Sequence, residues 1–247
     1  MNHNRSNQGF TLIELMIVVA LVAIFTTLAV PSMGNMIARQ RVNAAANDFA
    51  NTLVFAQNEA IRQSRSVFIV PGKLKSDGKL HGMADKAVGW TGEDKTPRTM
   101  VVFSDNNKVN DSDKINNQKY DTEEDLRVTQ FNPNLSFKVE AYPVGGKRGT
   151  DAVADYGQQV GFVYSTNGQM RMKKEFDKPG GGKLGLIGRI VIADKRQAKS
   201  LPGSFCRVVR VESISRATTC TPRETMLAVK DKVSGSENFC YCDKDDM

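Results

Sequence analysis

Residues Phe10 to Val30 read FTLIELMIVVALVAIFTTLAV, twenty-one residues whose only charge is Glu14. They follow a short polar leader, MNHNRSNQG. As a helix rising about 1.5 Å per residue, the run is roughly 30 Å long, close to the thickness of a bilayer's hydrocarbon core. A membrane-spanning helix over 10–30 is therefore expected. Glu14 needs a reason, because an ionised carboxylate in hydrocarbon is costly and is kept where a partner or a task awaits it.

A cut between Gly9 and Phe10 leaves a free amine on Phe10, four residues before Glu14 and on the same helical face. The carboxylate can then neutralise the amine of a neighbouring copy. The run Gly9-Phe10-Thr11-Leu12-Ile13-Glu14 resembles the processing motif of type IV pilins and type II secretion pseudopilins. That resemblance implies a prepilin peptidase that cuts after Gly9 and methylates the Phe10 amine, with Glu14 as the acid that registers subunits during assembly. A secretory signal peptide, with Thr27-Leu28-Ala29 as its cut site, and a plain single-span anchor are the competing readings. Neither explains a glycine before the run and a glutamate at its fifth position.

The 247 residues are enough for one sizeable domain beyond the helix. Net charge is +7, and loss of the leader removes Arg5 and leaves +6, a moderately basic balance that permits anionic partners without specifying one. Arg5 and His3 precede the span, so the leader is expected on the cytoplasmic side of the inner membrane and the rest beyond it. All four cysteines, Cys206, Cys220, Cys240 and Cys242, lie in the last 42 residues, an even number suited to disulfides in an exported domain. Cys240 and Cys242 are too close in sequence to bond each other well. Either Cys206 and Cys220 each reach one of them, or the first two pair together and leave the terminal two strained. Zinc is disfavoured, because Cys-x-Cys is not the usual ligand spacing and no histidine lies near.

Pro31 is expected to kink or end the helix. Beyond it Val42, Ala45, Phe49, Leu53, Ala56 and Ala60 recur every three or four residues, opposite Arg41, Asn43, Asn47, Asn51, Asn58 and Arg62. Residues 31–65 are thus an amphipathic second half of one long helix, laid into a core formed by 66–247. The stretch Leu53 to Val67, LVFAQNEAIRQSRSV, resembles the passage into the first strand in minor subunits of the FimT, FimU and GspH group, with Gln57 where that pattern has arginine. Gly89-Trp90, Asp105-Asn106-Asn107 and Asp125-Leu126-Arg127 are similar to a further pattern of the same group.

Short β-rich runs follow: Ser66–Val70, Thr99–Phe103, Leu135–Val139, Val160–Tyr164, Gln169–Met172, Leu186–Ala193 and Phe205–Glu212. Asn167-Gly168 is expected to supply the positive φ angles of a tight hairpin turn, and 104–125 a long exposed loop. The predicted class is α+β, a long N-terminal helix packed on an antiparallel β-rich head.

Catalysis has little to stand on, since the mature chain keeps one histidine, His81, and no nucleophile or metal-hydrolase motif occurs. Gly180 to Gly185 fits a GxGxxG string without the strand-then-helix context that gives it meaning. The Asx-rich cluster Asp105 to Asp113 offers calcium ligands but lacks the glycine and terminal glutamate of an EF-hand loop. No cofactor is expected. From Arg171 to Arg210 eleven basic residues face three acidic ones, a charge suited to a phosphate backbone if it converges on one face. FimT-like pilins bind DNA through a GRxR motif; here Arg207 and Arg210 precede Ser213-Ile-Ser-Arg216, which lacks the glycine and the second arginine. The resemblance thus implies a minor type IV pilin acting with other pilins in filament initiation, assembly or tip. A type II secretion pseudopilin of the GspH kind and a DNA-binding pilin for transformation are the alternatives.

Overall fold

The structure is a computed structural model that describes residues 10–74, 80–81, 98–104, 125–142, 160–174, 187–195, 205–212, 216–222, 240 and 242. The chain divides into two units, Met1–Ala38 and Arg39–Met247. Helix α1 (Leu12–Gln63) is 52 residues long and contributes to both. Pro31 does not end it.

In the second unit α1 buries one stripe: Val42, Ala45, Phe49, Leu53, Ala56 and Ala60, with Ala46 and Ala50 beside them. The small residues let the helix lie close to its neighbours, and Phe49 and Leu53 fill the space between. Asn43, Asn47, Asn51, Asn58 and Arg62 are exposed, as the helical period requires. The helix stops in a Schellman cap: Arg65 N–H donates to the Ala60 carbonyl and Ser64 N–H to that of Ile61, both at 3.2 Å. Ser64 takes the left-handed conformation (φ 50) that such a cap usually gives to glycine.

Ten described strands follow: β1 (Val67–Leu74), β2 (Leu80–His81), β3 (Arg98–Ser104), β4 (Asp125–Phe131), β5 (Leu135–Tyr142), β6 (Val160–Tyr164), β7 (Met170–Lys174), β8 (Ile187–Asp194), β9 (Cys206–Glu212) and β10 (Arg216–Cys220). One sheet has the order β4-β3-β1-β6-β7 with β2 on β1, the other β10-β9-β8-β5, and every pairing is antiparallel. The sequence reading did not anticipate β2, β4 or β10, and ended β1 at Val70. The strand continues through Pro71, which lies opposite Met100 of β3 and beyond the Val67 to Ile69 stretch that pairs with β6.

Both sheets and the helix share one core. Val67, Ile69, Met100, Val102, Phe131, Phe162 and Met170 come from the first sheet, and Leu135, Phe137, Val139, Ile190, Ile192, Val209 and Val211 from the second. Phe49 stands at their junction, with ring centroids 6.3, 6.5 and 5.9 Å from Phe131, Phe137 and Phe162. Truncating a buried ring of this kind typically costs about 3–5 kcal/mol. The outer sheet faces are buried too: Phe68, Val70, Val101 and Phe103 on the first, and Arg189, Val191, Ala193, Cys206 and Val208 on the second. Phe68 and Phe103, directly opposed on β1 and β3, stack at 5.0 Å.

Cys206 bonds Cys242 and Cys220 bonds Cys240, with Cα separations of 6.7 and 6.0 Å. This is the first of the two arrangements left open by the spacing. Cys220 lies opposite Val208 on β9, two residues from Cys206, so both bonds leave the same outer face. They tie Cys240 and Cys242 across it.

The β6–β7 hairpin differs from the expected two-residue turn. Gly168 N–H donates to the Ser165 carbonyl at 2.8 Å, and Ser165 N–H to the Gln169 carbonyl at 2.9 Å, a three-residue loop. Gly168 alone takes the positive φ, 75°, while the Asn167 side chain accepts the Gln169 N–H at 3.1 Å. The Gly168 carbonyl also meets Gln57 Nε2 of α1 at 3.4 Å, and a Cβ at this position would lie 2.9 Å from Ile61 Cδ1. Gly168→Ala should therefore destabilise by roughly 1–2 kcal/mol, combining left-handed strain with crowding against the helix. Ser64→Gly, at an exposed left-handed position, should stabilise by roughly 0.5–1 kcal/mol. Denaturant unfolding of both variants checks the opposite signs.

Candidate assembly site

The helix starts where a cap can satisfy its first donors. Thr11 Oγ1 accepts the Glu14 N–H at 3.3 Å, and the Thr11 carbonyl takes the Leu15 N–H at 3.2 Å. Thr11 is thus the N-cap, and Thr11-Leu12-Ile13-Glu14 has the sequence of a capping box, a signal the sequence reading passed over. Phe10 sits just outside the cap and Glu14 in the first turn. A cut after Gly9 would place the new amine at the positive end of the helix dipole, where an acid is favoured. Among the described residues the Glu14 carboxylate has no ion-pair partner. Gly9 and the rest of the leader lie outside the described residues.

From Leu12 to Phe25 α1 is apolar on every side except at Glu14. Phe10 is 80% exposed and Phe25 67%, and Leu12, Ile13, Leu15, Met16, Ile17, Val18, Val19, Leu21, Val22 and Ile24 are all open. A helix of this kind requires an apolar environment around it, either lipid or other helices. Among the described residues, no helix is long and apolar enough to cross a membrane. The described side chains of the run stop at Thr27, short of the roughly 20 residues a span needs, and those of 28–32 lie outside. The span expected over 10–30 thus rests on the sequence.

Among the described residues the arginines of this stretch do not gather on one face. Arg171 is on β7 in the first sheet, whereas Arg189, Arg207 and Arg210 are in the second. Arg189 is fully buried. Arg207 and Arg210, three apart on β9, fall on opposite sides of the strand. Burial, and then the charge of Arg39, push the Arg207 guanidinium below its ordinary value. Arg216 is on β10 in register with Glu212. Lys178, Lys183, Arg196 and Lys199, the Gly180–Gly185 string and the Asx-rich cluster from Asp105 to Asp113 lie outside the described residues, as does the side chain of His81. Among the described residues no group of acidic, histidine or cysteine side chains could hold a metal.

Tyr164 belongs to the buried core. Its hydroxyl is fully buried without a hydrogen-bond partner among the described residues, and burial raises its pKa.

Residues 4–30 match the model for the prokaryotic N-terminal methylation motif. Residues 45–171, just over half of the chain, match the model for type II transport protein GspH. The chain belongs to the GspH family. This family and the related pilins are structural subunits rather than enzymes, and the N-terminal motif implies processing by a prepilin peptidase and assembly with other pilins or pseudopilins. The GspH-family chain is also 36% identical over 84 residues to the type IV major fimbrial protein FimA of Dichelobacter nodosus, an alignment covering 34% of this chain and 43% of that protein. It thus spans less than half the length of the curated relative it matches.

Among solved structures, the minor pseudopilin EpsH from the type 2 secretion system of Vibrio cholerae is similar at a TM-score of 0.37 and 12% identity, covering 74% of this chain and 99% of EpsH. The type IV minor pilin FimU of Pseudomonas aeruginosa gives 0.36 and 15%, covering 73% of this chain and 88% of FimU. At these scores the two likenesses add nothing to the family assignment.

In this GspH-family subunit Thr11→Ala should loosen the first helical turn by about 1 kcal/mol. Faster amide exchange at residues 12–14 in detergent, against unchanged exchange at 42–60, would show it.

Proposed function

We propose that this chain is a minor subunit of a type IV pilus, contributing to initiation, assembly or tip of the filament. The observation that carries this reading is the capped, all-apolar helix behind Phe10, with Glu14 one turn in and facing no described counter-ion. Such a helix is held in the inner membrane before assembly, with its leader cytoplasmic and its head periplasmic. It then leaves lipid by packing against other helices of its kind. Each Å² of apolar surface kept from water contributes about 25 cal/mol, and the amine–carboxylate pair between copies sets the register. Work as a type II secretion pseudopilin uses the same physics and differs in the machinery served. DNA capture is the weaker reading, because Arg207 and Arg210 are on opposite sides of β9 and Arg189 is buried.

The reading requires a mature chain that begins at a methylated Phe10, and N-terminal mass analysis of the membrane form tests it. A chain starting at Met1 or near residue 30 would end it. Glu14→Ala should be cut normally yet enter filaments at least several-fold less than the wild type; equal filament content, measured by immunoblot of sheared filaments, would remove the registering role.

A further inference from the structure

Two cations stand together where the head unit begins. Arg39 of α1 lies over the Phe205 ring, its guanidinium carbon 5.3 Å from the ring centroid. Two residues after Phe205, Arg207 donates from Nη1 to the Cys206 carbonyl at 2.7 Å. Phe205 is fully buried and Cys206 is bonded to Cys242, so the base under both side chains is fixed. Arg39 is exposed and Arg207 half-buried. Among the described residues neither guanidinium has a carboxylate partner, and Arg207 is close enough to Arg39 to feel its charge.

Among the described residues such an arrangement is unfavourable, since like charges repel and one of them is partly removed from water. A carboxylate placed between them reverses the sign. It would accept charge-assisted hydrogen bonds from both forks and cancel the repulsion at the same time.

We infer that Arg39 and Arg207 form a receiving site for an aspartate or glutamate carboxylate of a neighbouring subunit in the assembled filament. The inference rests on the filament reading proposed above. Arg39 lies nine residues past Val30, about 13 Å along the helix. When apolar helices bundle side by side, the residues just beyond them are the first of the head to meet a neighbour. Phosphate of a nucleic acid fits less well, because tracking a backbone takes a longer open row of cations than two, one of them half-buried.

The test uses the full-length chain in assembled filaments. Arg39→Lys keeps the charge and supplies an amine that a zero-length carbodiimide couples only to a carboxylate in contact with it. Mass spectrometry should find a new amide from position 39 to an aspartate or glutamate of another subunit. The double variant Arg39→Gln/Arg207→Gln should enter filaments several-fold less, while its thermal unfolding in detergent stays within a few degrees of the wild type.

An amide solely to this chain's own carboxylates, such as Asp243, Asp245 or Asp246, would overturn the inference. So would normal incorporation of the double variant, or a loss of double-stranded DNA retention by the double variant with filament content unchanged. If the wild-type chain is present in filaments and position 39 forms no amide, the inference alone fails. If the wild-type chain is absent from filaments, the filament reading fails and takes the inference with it.

Discussion

The packing of Phe49 is the constraint from which the rest of the head follows. A single ring on α1 touches aromatic rings from β4, β5 and β6, strands that belong to two different sheets. The inner faces of both sheets and the buried stripe of the helix form one cluster. Phe131 and Phe137, 4.8 Å apart on either side of the β4–β5 turn, bring the sheets together at the same point. In that turn the Leu135 N–H reaches the Asn132 carbonyl at 3.0 Å, and the Asn132 side chain accepts the Asn134 N–H at 3.0 Å. The helix is therefore the central support of the domain as well as its leading segment.

How much of this the sequence disclosed depends on how local each signal is. The stripe from Val42 to Ala60 was legible because a helix writes its buried face into a fixed period. The strongly apolar strands, Phe68 to Val70 and Ile190 to Ala193, were legible for their composition. β4 escaped because an edge strand with one open side carries Arg127, Thr129 and Gln130 among its residues, which reads as loop. β10, Arg-Ala-Thr-Thr-Cys, has almost no apolar content and exists through its ladder with β9. The hairpin at Gly168 was placed correctly and typed wrongly: Asn-Gly is compatible with two loop lengths, and its contact with Ile61 belongs to the tertiary structure.

The candidate site divides in the same way. Phe10 and Glu14 are recognisable because four-residue spacing on a helix is a local fact, and the Thr11 cap is equally local. The basic residues between Arg171 and Arg210 suggested a surface because they are close in sequence. Strand alternation and sheet order then scattered them, burying Arg189 and turning Arg207 and Arg210 to opposite sides. The meeting of Arg39 with the Phe205–Arg207 segment had no sequence signal, since 168 residues separate the two arginines and the stacking of Arg39 on the Phe205 ring belongs to the tertiary structure.

The two cystine bridges carry a consequence for biogenesis. They fasten the last cysteines, Cys240 and Cys242, to neighbouring strands formed some twenty to thirty-six residues earlier. Oxidation of this kind belongs to compartments beyond the reducing cytosol. With the head exported as proposed, both bonds close only after Cys240 and Cys242 have crossed the membrane. In that case export sets the moment at which β9 and β10 are clasped to these last two cysteines.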